Sequence, residues 1–282
     1  MEDIRVGVHT SISGGVQSSV AEQNDKGGNC GQIFSHSPQS WDKPDHCEED
    51  IREFRESCEE LDIQPWVIHE SYLVNLCTPK KGLAKKSVES LQSELNTASE
   101  LGIQYVNVHL GAHTGAGEEQ GLENAATRIN SLEVPDDVDL VIETDAGGGT
   151  KLGGQLEHLR KVQDKTEHDL EFCVDTAHSW AAGYPIDSRR GVEDLFSQFD
   201  SMIGLDKLSI IHLNDSKHDI GTNKDEHEHL GRGMIGEEGI TKMIEMAGNR
   251  NIPLIAETPI TAERNDKDNI QFVRDKWHES QD

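Results

Sequence analysis

Basic side chains are scarce in this chain: 26 Lys and Arg stand against 53 Asp and Glu, a formal net charge of -27 over 282 residues. Self-repulsion of that size adds nothing to a fold, and it is tolerable where salt screens charge over about 3 Å, as at molar ionic strength. The acids are spread throughout and not gathered in a tail, so the charge reads as a halophile's solvating surface, not as a docking site for a basic partner. Cysteine is also sparse. Cys30, Cys47, Cys58, Cys77 and Cys173 form an odd set with no C-x-x-C pair, which argues against a disulfide framework or a cysteine-built zinc knuckle. No apolar stretch approaches the ~20 residues of a spanning helix and the amino terminus is acidic, so neither membrane span nor signal peptide is expected. The expectation is a soluble protein of a high-salt cytoplasm. Its length suits one (β/α)8 barrel, with a single domain over residues 1–282 and no low-complexity linker.

What the chain does have is a repeated ending. Six short apolar runs each close on a metal-capable side chain: Trp66 to His69, Val106 to His109, Leu140 to Glu143, Phe172 to Asp175, Ile210 to His212 and Leu254 to Glu257. A β-rich run ending in His, Asp or Glu reads as a buried strand delivering a polar group at its carboxyl end, where α/β barrels collect their chemistry. Two further runs, Arg5 to His9 and Gly31 to Phe34, bring the strand count to eight. Helical stripes lie between them, at Ile51, Phe54, Cys58 and Leu61, at Val88, Leu91, Leu95 and Ala98, and at Leu122, Ala125, Ala126 and Ile129. Later stripes fall at Leu152, Leu156 and Leu159, at Val192, Leu195, Phe196 and Phe199, at Ile240, Met243, Ile244 and Ala247, and at Ile270, Val273 and Trp277. Eight rounds of alternation favour a closed TIM barrel with its site at the carboxyl face of the strands.

A second layer of ligands follows the sixth and seventh strands. Asp175 and His178 stand three apart at a strand-to-loop exit, and Asp225 and His227 two apart on an extended loop. Five histidines and four carboxylates without thiolate form the donor set of catalytic zinc or manganese, and they exceed what one ion needs. Two or three ions sharing a carboxylate would clamp the attacking and leaving oxygens of a phosphodiester. A lone D-x-x-H or D-x-H means little; the joint placement after strands is what counts. His36, His46, His158, His168 and His278 read as solvated surface residues, and His9 and His113 as hydrogen-bonded neighbours as readily as ligands. Glycines 147–149 and the run Gly231 to Gly236 lack a phosphate-loop pattern and read as tight turns. Tyr72 and Trp41 are mouth-loop aromatics in a chain with only 5% aromatics, able to stack on bases if the substrate is nucleic acid.

Taken together these segments resemble the endonuclease IV family, the metal-dependent abasic-site endonucleases of base-excision repair. The likeness runs from Gly7 to Gly15, through His69 to Leu76, His109 to His113 and Asp175 to Tyr184. It continues through His212 to Lys217, Asp225 to His227, Gly231 to Gly236 and Glu257 to Pro259. It implies a TIM barrel with three Zn2+ ions, Mn2+ or Fe2+ being able to replace one or more. By resemblance, His69, His109 and Glu143 hold one ion, Glu143, Asp175, His212 and Glu257 a second, and His178, Asp225 and His227 a third. It implies hydrolysis 5′ to an abasic site in double-stranded DNA, leaving a 3′-hydroxyl and a 5′-deoxyribose phosphate, by a protein expected to be a monomer. Glu143 would act catalytically by fixing the metal pair, and Tyr72 and Gln39 would meet DNA. Three positions depart from the family's usual pattern: Gln39 and Glu226 where arginine is common, and Asp145 where threonine is. The rival readings are a sugar isomerase or epimerase, which does not call for the His178, Asp225 and His227 set, and a metal-storage protein, which predicts closed coordination.

Overall fold

The computed structural model describes residues 3–43 and 45–281. Eight parallel strands make the central sheet: β1 (Val6–Val8), β2 (Gly31–Phe34), β3 (Trp66–His69), β4 (Tyr105–Val108), β5 (Asp139–Glu143), β6 (Glu171–Asp175), β7 (Leu208–His212) and β8 (Leu254–Ala256). From β2 onward each pairs with its neighbour in sequence, and β8 pairs with β1. The ring closes between β1 and β2 through a parallel bridge of His9 to Gln32 and a hydrogen bond from the Thr10 amide to the Gln32 carbonyl at 2.8 Å. Gly7 is required at that seam, since a methyl group there would lie 1.8 Å from the Cys30 carbonyl oxygen. The result is a TIM barrel.

Side chains alternate across a strand, and this alternation builds the site. Cys30, Val67, Val141, Cys173, Ile210 and Ile255 form one buried cluster inside the barrel, while the larger cluster fills the space between sheet and helices. Two residues beyond those interior positions stand Gln32, His69, Glu143, Asp175, His212 and Glu257. The same inward face that packs the interior therefore carries the polar groups of the mouth.

Nine helices are assigned among the described residues: α1 (Ser18–Lys26), α2 (Glu48–Leu61), α3 (Lys81–Leu101), α4 (Glu118–Ile129), α5 (Leu156–Lys165), α6 (Thr176–Ala182), α7 (Arg189–Met202), α8 (Gly236–Gly248) and α9 (Asp266–Gln281). Most of the expected stripes face the core, with three differences. Leu61 ends α2 at 42% exposure, and Ile63, just past the left-handed Asp62 cap, is the residue that enters the core. Leu152 is buried, but in a two-residue strand, Lys151–Leu152, paired antiparallel with Gly111–Ala112. The segment after Asp175 is a helix and not a loop: Asp175 caps α6 by accepting from the His178 amide at 2.8 Å. No helix of the described residues is long and apolar enough to cross a membrane.

Candidate metal centre

His69, His109, Glu143 and Glu257 line one cleft of about 220 Å³ at the carboxyl face of the barrel, with Asp175 and His212 buried beside it. Glu143 stands at its centre, fully buried. One carboxylate oxygen lies 3.5 Å from His69 Nε2 and 3.4 Å from His109 Nε2; the other lies 3.0 Å from His212 Nδ1. Glu257 Oε2 approaches the same His212 nitrogen at 3.4 Å. The α6 helix brings His178 to 3.2 Å from Asp225, and Asp225 lies 3.1 Å from His227 Nε2. The loop bearing Asp225 and His227 is folded over the mouth by pairing of His227–Glu228 with Asp215–Ser216. Donor atoms converge in four overlapping groups: His69, His109 and Glu143; Asp175, His212 and Glu257; Asp175, His178 and His227; and Glu143, Cys173 and His212.

These groups are oriented from behind. His69 donates from Nδ1 to its neighbour's carbonyl, Glu70, at 3.0 Å, His178 to Thr144 at 2.9 Å and His227 to Glu257 at 3.0 Å. Each ring thus turns Nε2 toward the cleft. His212 is held the other way round: the Gln32 amide oxygen lies 2.8 Å from Nε2 and leaves Nδ1 for the site. Gln32 also donates to Glu257 at 2.7 Å. Asn107 donates to Glu143, and Asn214 donates to Asp175 at 2.7 Å while accepting from the Glu257 amide at 2.8 Å. Sequence reasoning singles out none of these three amides, although Gln32 and Asn107 are polar residues on inward positions of otherwise apolar strands.

Crowding sets the charge states. Burial lowers His69, but Glu143 and further carboxylates outweigh it and bring the imidazole up to about 10. Burial likewise opposes His227, yet Asp225 and Asp175 raise it to about 9. Burial would raise Glu257, but the imidazoles of His212 and His69 pull it down to about 2. His109 is lowered, chiefly by burial and further by its imidazole neighbours, because rings gathered on one carboxylate cannot all carry a proton. Among the described residues, His227 Nε2 is buried and makes no hydrogen bond, despite the nearby Asp225 oxygen. An imidazole nitrogen facing carboxylates in this way suits a metal cation, which must displace the proton those carboxylates favour.

A family model described as a xylose isomerase-like TIM barrel matches residues 21–276. The chain is 51% identical over 272 residues to a probable endonuclease 4 of Haloarcula marismortui, covering 96% of this chain and 98% of that protein. The chain belongs to the endonuclease IV family. A second probable endonuclease 4, from Halobacterium salinarum, is 53% identical over 273 residues, covering 96% and 99%. The crystal structure of endonuclease IV from Thermus thermophilus superposes with a TM-score of 0.87 at 34% identity, covering 98% of this chain and 99% of that one. Both sequence relatives are haloarchaeal, in keeping with the halophilic reading of the charge.

Gln39, Asp145 and Glu226, expected from the resemblance to depart from the family's pattern, lie outside the donor groups. Gln39 is exposed on the loop after β2. Asp145 is buried, accepts from the Gly147 amide at 2.8 Å and pairs with Lys151 at 3.3 Å, so it closes the glycine turn after β5. Glu226 pairs with Lys217 at 2.8 Å and His218 at 3.0 Å. Tyr72 is 68% exposed and meets Phe34 edge-on at 5.2 Å, while Phe34 meets His69 at 5.6 Å. Trp41 is half-buried beneath the Lys86 ammonium. The Gly231 to Gly236 loop is a tight turn filled from within: Asp215 accepts from the amides of Gly233 and Ile235 at 2.9 Å, so those donors are already taken. His36, expected at the surface, is buried, because its loop packs against α3. His9 contacts Gln32 at 3.0 Å, and His113 accepts from the Gly117 amide at 3.0 Å.

Proposed function

We propose that this endonuclease IV family member is a DNA repair enzyme that hydrolyses the phosphodiester 5′ to an abasic site, leaving a 3′-hydroxyl and a 5′-deoxyribose phosphate. The observation that carries the reading is the convergence of five imidazoles and four carboxylates in one cluster, seven of them lining an open cleft with His212 and Asp175 buried just behind. That donor set fits Zn2+, with Mn2+ or Fe2+ able to take a position. The neighbouring Cys173 thiol is held protonated by burial. His69, His109 and Glu143 would hold one ion, Glu143, Asp175, His212 and Glu257 a second, and His178, Asp225 and His227 a third. Ions held there would lower the pKa of bound water to about 7 and would offset charge on the phosphate and the departing 3′ oxygen.

The chain's own residues supply placement. Glu143, gripped by Asn107 and facing His212, keeps the first two donor groups in fixed register. No side chain is needed as nucleophile. Tyr72, braced on Phe34, presents its ring at the rim for stacking beside the gap left by a missing base, with Gln39 on the adjacent loop. Extruding the damaged nucleotide costs less stacking and pairing energy where the base is absent. The proposed working form is a monomer with one domain over residues 1–282, acting in a high-salt cytoplasm.

The test is direct. Zn2+-loaded protein is incubated in high salt with a duplex carrying one abasic site, with undamaged duplex and with ketose sugars. Expected is cleavage 5′ to the lesion with a 3′ end that primes a polymerase, abolished by chelation and restored by Zn2+. Sugar turnover with intact DNA would overturn the reading in favour of an isomerase.

A further inference from the structure

Outside the donor groups, a buried carboxylate ties together the two loops that carry the rim residues. Glu94 lies in the body of α3 with its side chain fully enclosed. Its Oε1 accepts from the Ser71 amide at 3.4 Å and from Lys43 Nζ at 3.3 Å, and His36 Nε2 stands 3.8 Å away. Lys43 also donates to the Ser90 carbonyl, one turn earlier on the same helix. Ser71 donates its hydroxyl to the Pro38 carbonyl at 2.9 Å. His36, Pro38 and Lys43 belong to the loop after β2, and Ser71 to the loop after β3. Gln39 follows Pro38 directly, and Tyr72 follows Ser71.

A carboxylate enclosed in a helix flank is unfavourable for folding unless it is paired, and an apolar side chain would pack there at no such cost. What Glu94 adds is geometry: one anchor on a rigid helix that sets both loops at once. We propose that Glu94 is a positioning residue for substrate. It fixes Tyr72 and Gln39 against the cleft, and so governs how tightly abasic duplex is held, while touching neither DNA nor ions. This rests on the cleft being the DNA-cleaving site.

Contacts to DNA flanking the scissile bond are present before and during the reaction, so weakening them raises KM and leaves kcat in place. The Glu94→Gln variant of the full chain, loaded with Zn2+, should keep the wild-type metal-to-protein ratio. Its KM for abasic duplex should rise about tenfold or more, with kcat within about threefold of wild type. Hydrogen exchange should quicken in residues 35–43 and 70–74 and stay unchanged elsewhere. Ser71→Ala, which removes the link between the loops together with the bond from the Leu73 amide within the second loop, should move KM the same way by less; if Glu94→Gln does not fold, Ser71→Ala and Lys43→Met carry the test. Unchanged KM in the folded variants overturns the proposal, as does a joint fall of kcat and metal ratio without a KM change. If the wild-type protein leaves abasic duplex intact, the functional reading fails on its own, and unchanged exchange in the two loops still refutes the anchor.

Discussion

Replacing Gln32 with leucine should loosen metal binding at one position of the centre. Gln32 is fully buried, its amide oxygen 2.8 Å from His212 Nε2 and its amide nitrogen donating to Glu257 at 2.7 Å. Leucine roughly keeps the volume and removes both bonds, together with the contact to His9 Nδ1 at 3.0 Å. The His212 N–H is then left without an acceptor, at about 1–3 kcal/mol, and Glu257 loses a charge-assisted bond of similar worth. Only part of that loss appears in metal affinity, because the metal-free protein suffers it too. Removal of such supporting partners weakens metal binding about 10–100-fold, or about 1.4–2.7 kcal/mol. Competition against a chromophoric chelator should show one weakened ion, the one shared by His212 and Glu257, with the others near wild type. Gln32→Glu should be worse at neutral pH, because it sets a carboxyl against Glu257. If every ion binds Gln32→Leu within about threefold of wild type, the amide does not orient these ligands.

Asp215→Asn places an amide where four backbone N–H groups point, from Ser216, Gly233, Ile235 and Gly236, and should lower stability to urea unfolding by about 2–4 kcal/mol. Gly7→Ala forces a methyl group into the Cys30 carbonyl at the β1–β2 seam and should cost about 3 kcal/mol in thermal denaturation. In the metal-free protein, His69 at about 10 and His227 at about 9 lie above the unfolded value of 6.5. Their ion pairs therefore stabilise fully below the unfolded value, and that contribution is lost as pH rises through the folded values. Metal must displace those protons, so apparent affinity should climb across the same window as metal-free stability falls, and calorimetry in buffers of different ionisation heat should register proton release.

The strand ends are legible in the sequence because one rule places them: an apolar run of period two, stopped by a polar ligand, leaves that ligand on the face its apolar residues already occupy. Val67 and His69 show it, as do Val141 and Glu143. The supporting amides obey the same periodicity but carry no metal-type side chain. Gln32 sits between Gly31 and Ile33, and Asn107 between Val106 and Val108, so each passes for part of a plain strand. The α1 helix escapes a reading by pattern because its buried face is Ser19, Val20 and Gln23, with one strong apolar residue. The α6 helix is only seven residues long and starts right after Asp175, so its cap doubles as a candidate ligand and disguises the turn. His36 and Glu94 are polar residues whose burial depends on loops packing against a distant helix, which no local pattern records.

A chain with this charge meets a polyanion on unusual terms. Around the mouth, Lys217 is already engaged by Glu226, Lys151 by Asp145 and Lys43 by Glu94. Lysines that arrive paired release few counterions when a phosphate displaces the partner, because one anion replaces another. If Z phosphates were newly neutralised by side chains, the logarithm of the binding constant would fall with that of salt at a slope of about -0.9Z, and about six such contacts would cost several decades between dilute and concentrated buffer. Exposed Lys224 beside Asp225 is the exception, with no ion pair among the described residues; on the proposed function, most of the attraction would come from ions held in the cleft, stacking on Tyr72 and the deformability of DNA at a missing base. The slope for abasic duplex should therefore be about -2 or shallower from moderate to molar KCl, measured at constant metal loading. A slope of about -6, with steep loss of cleavage, would mean that side-chain cations carry the DNA after all, and that the paired lysines open on binding.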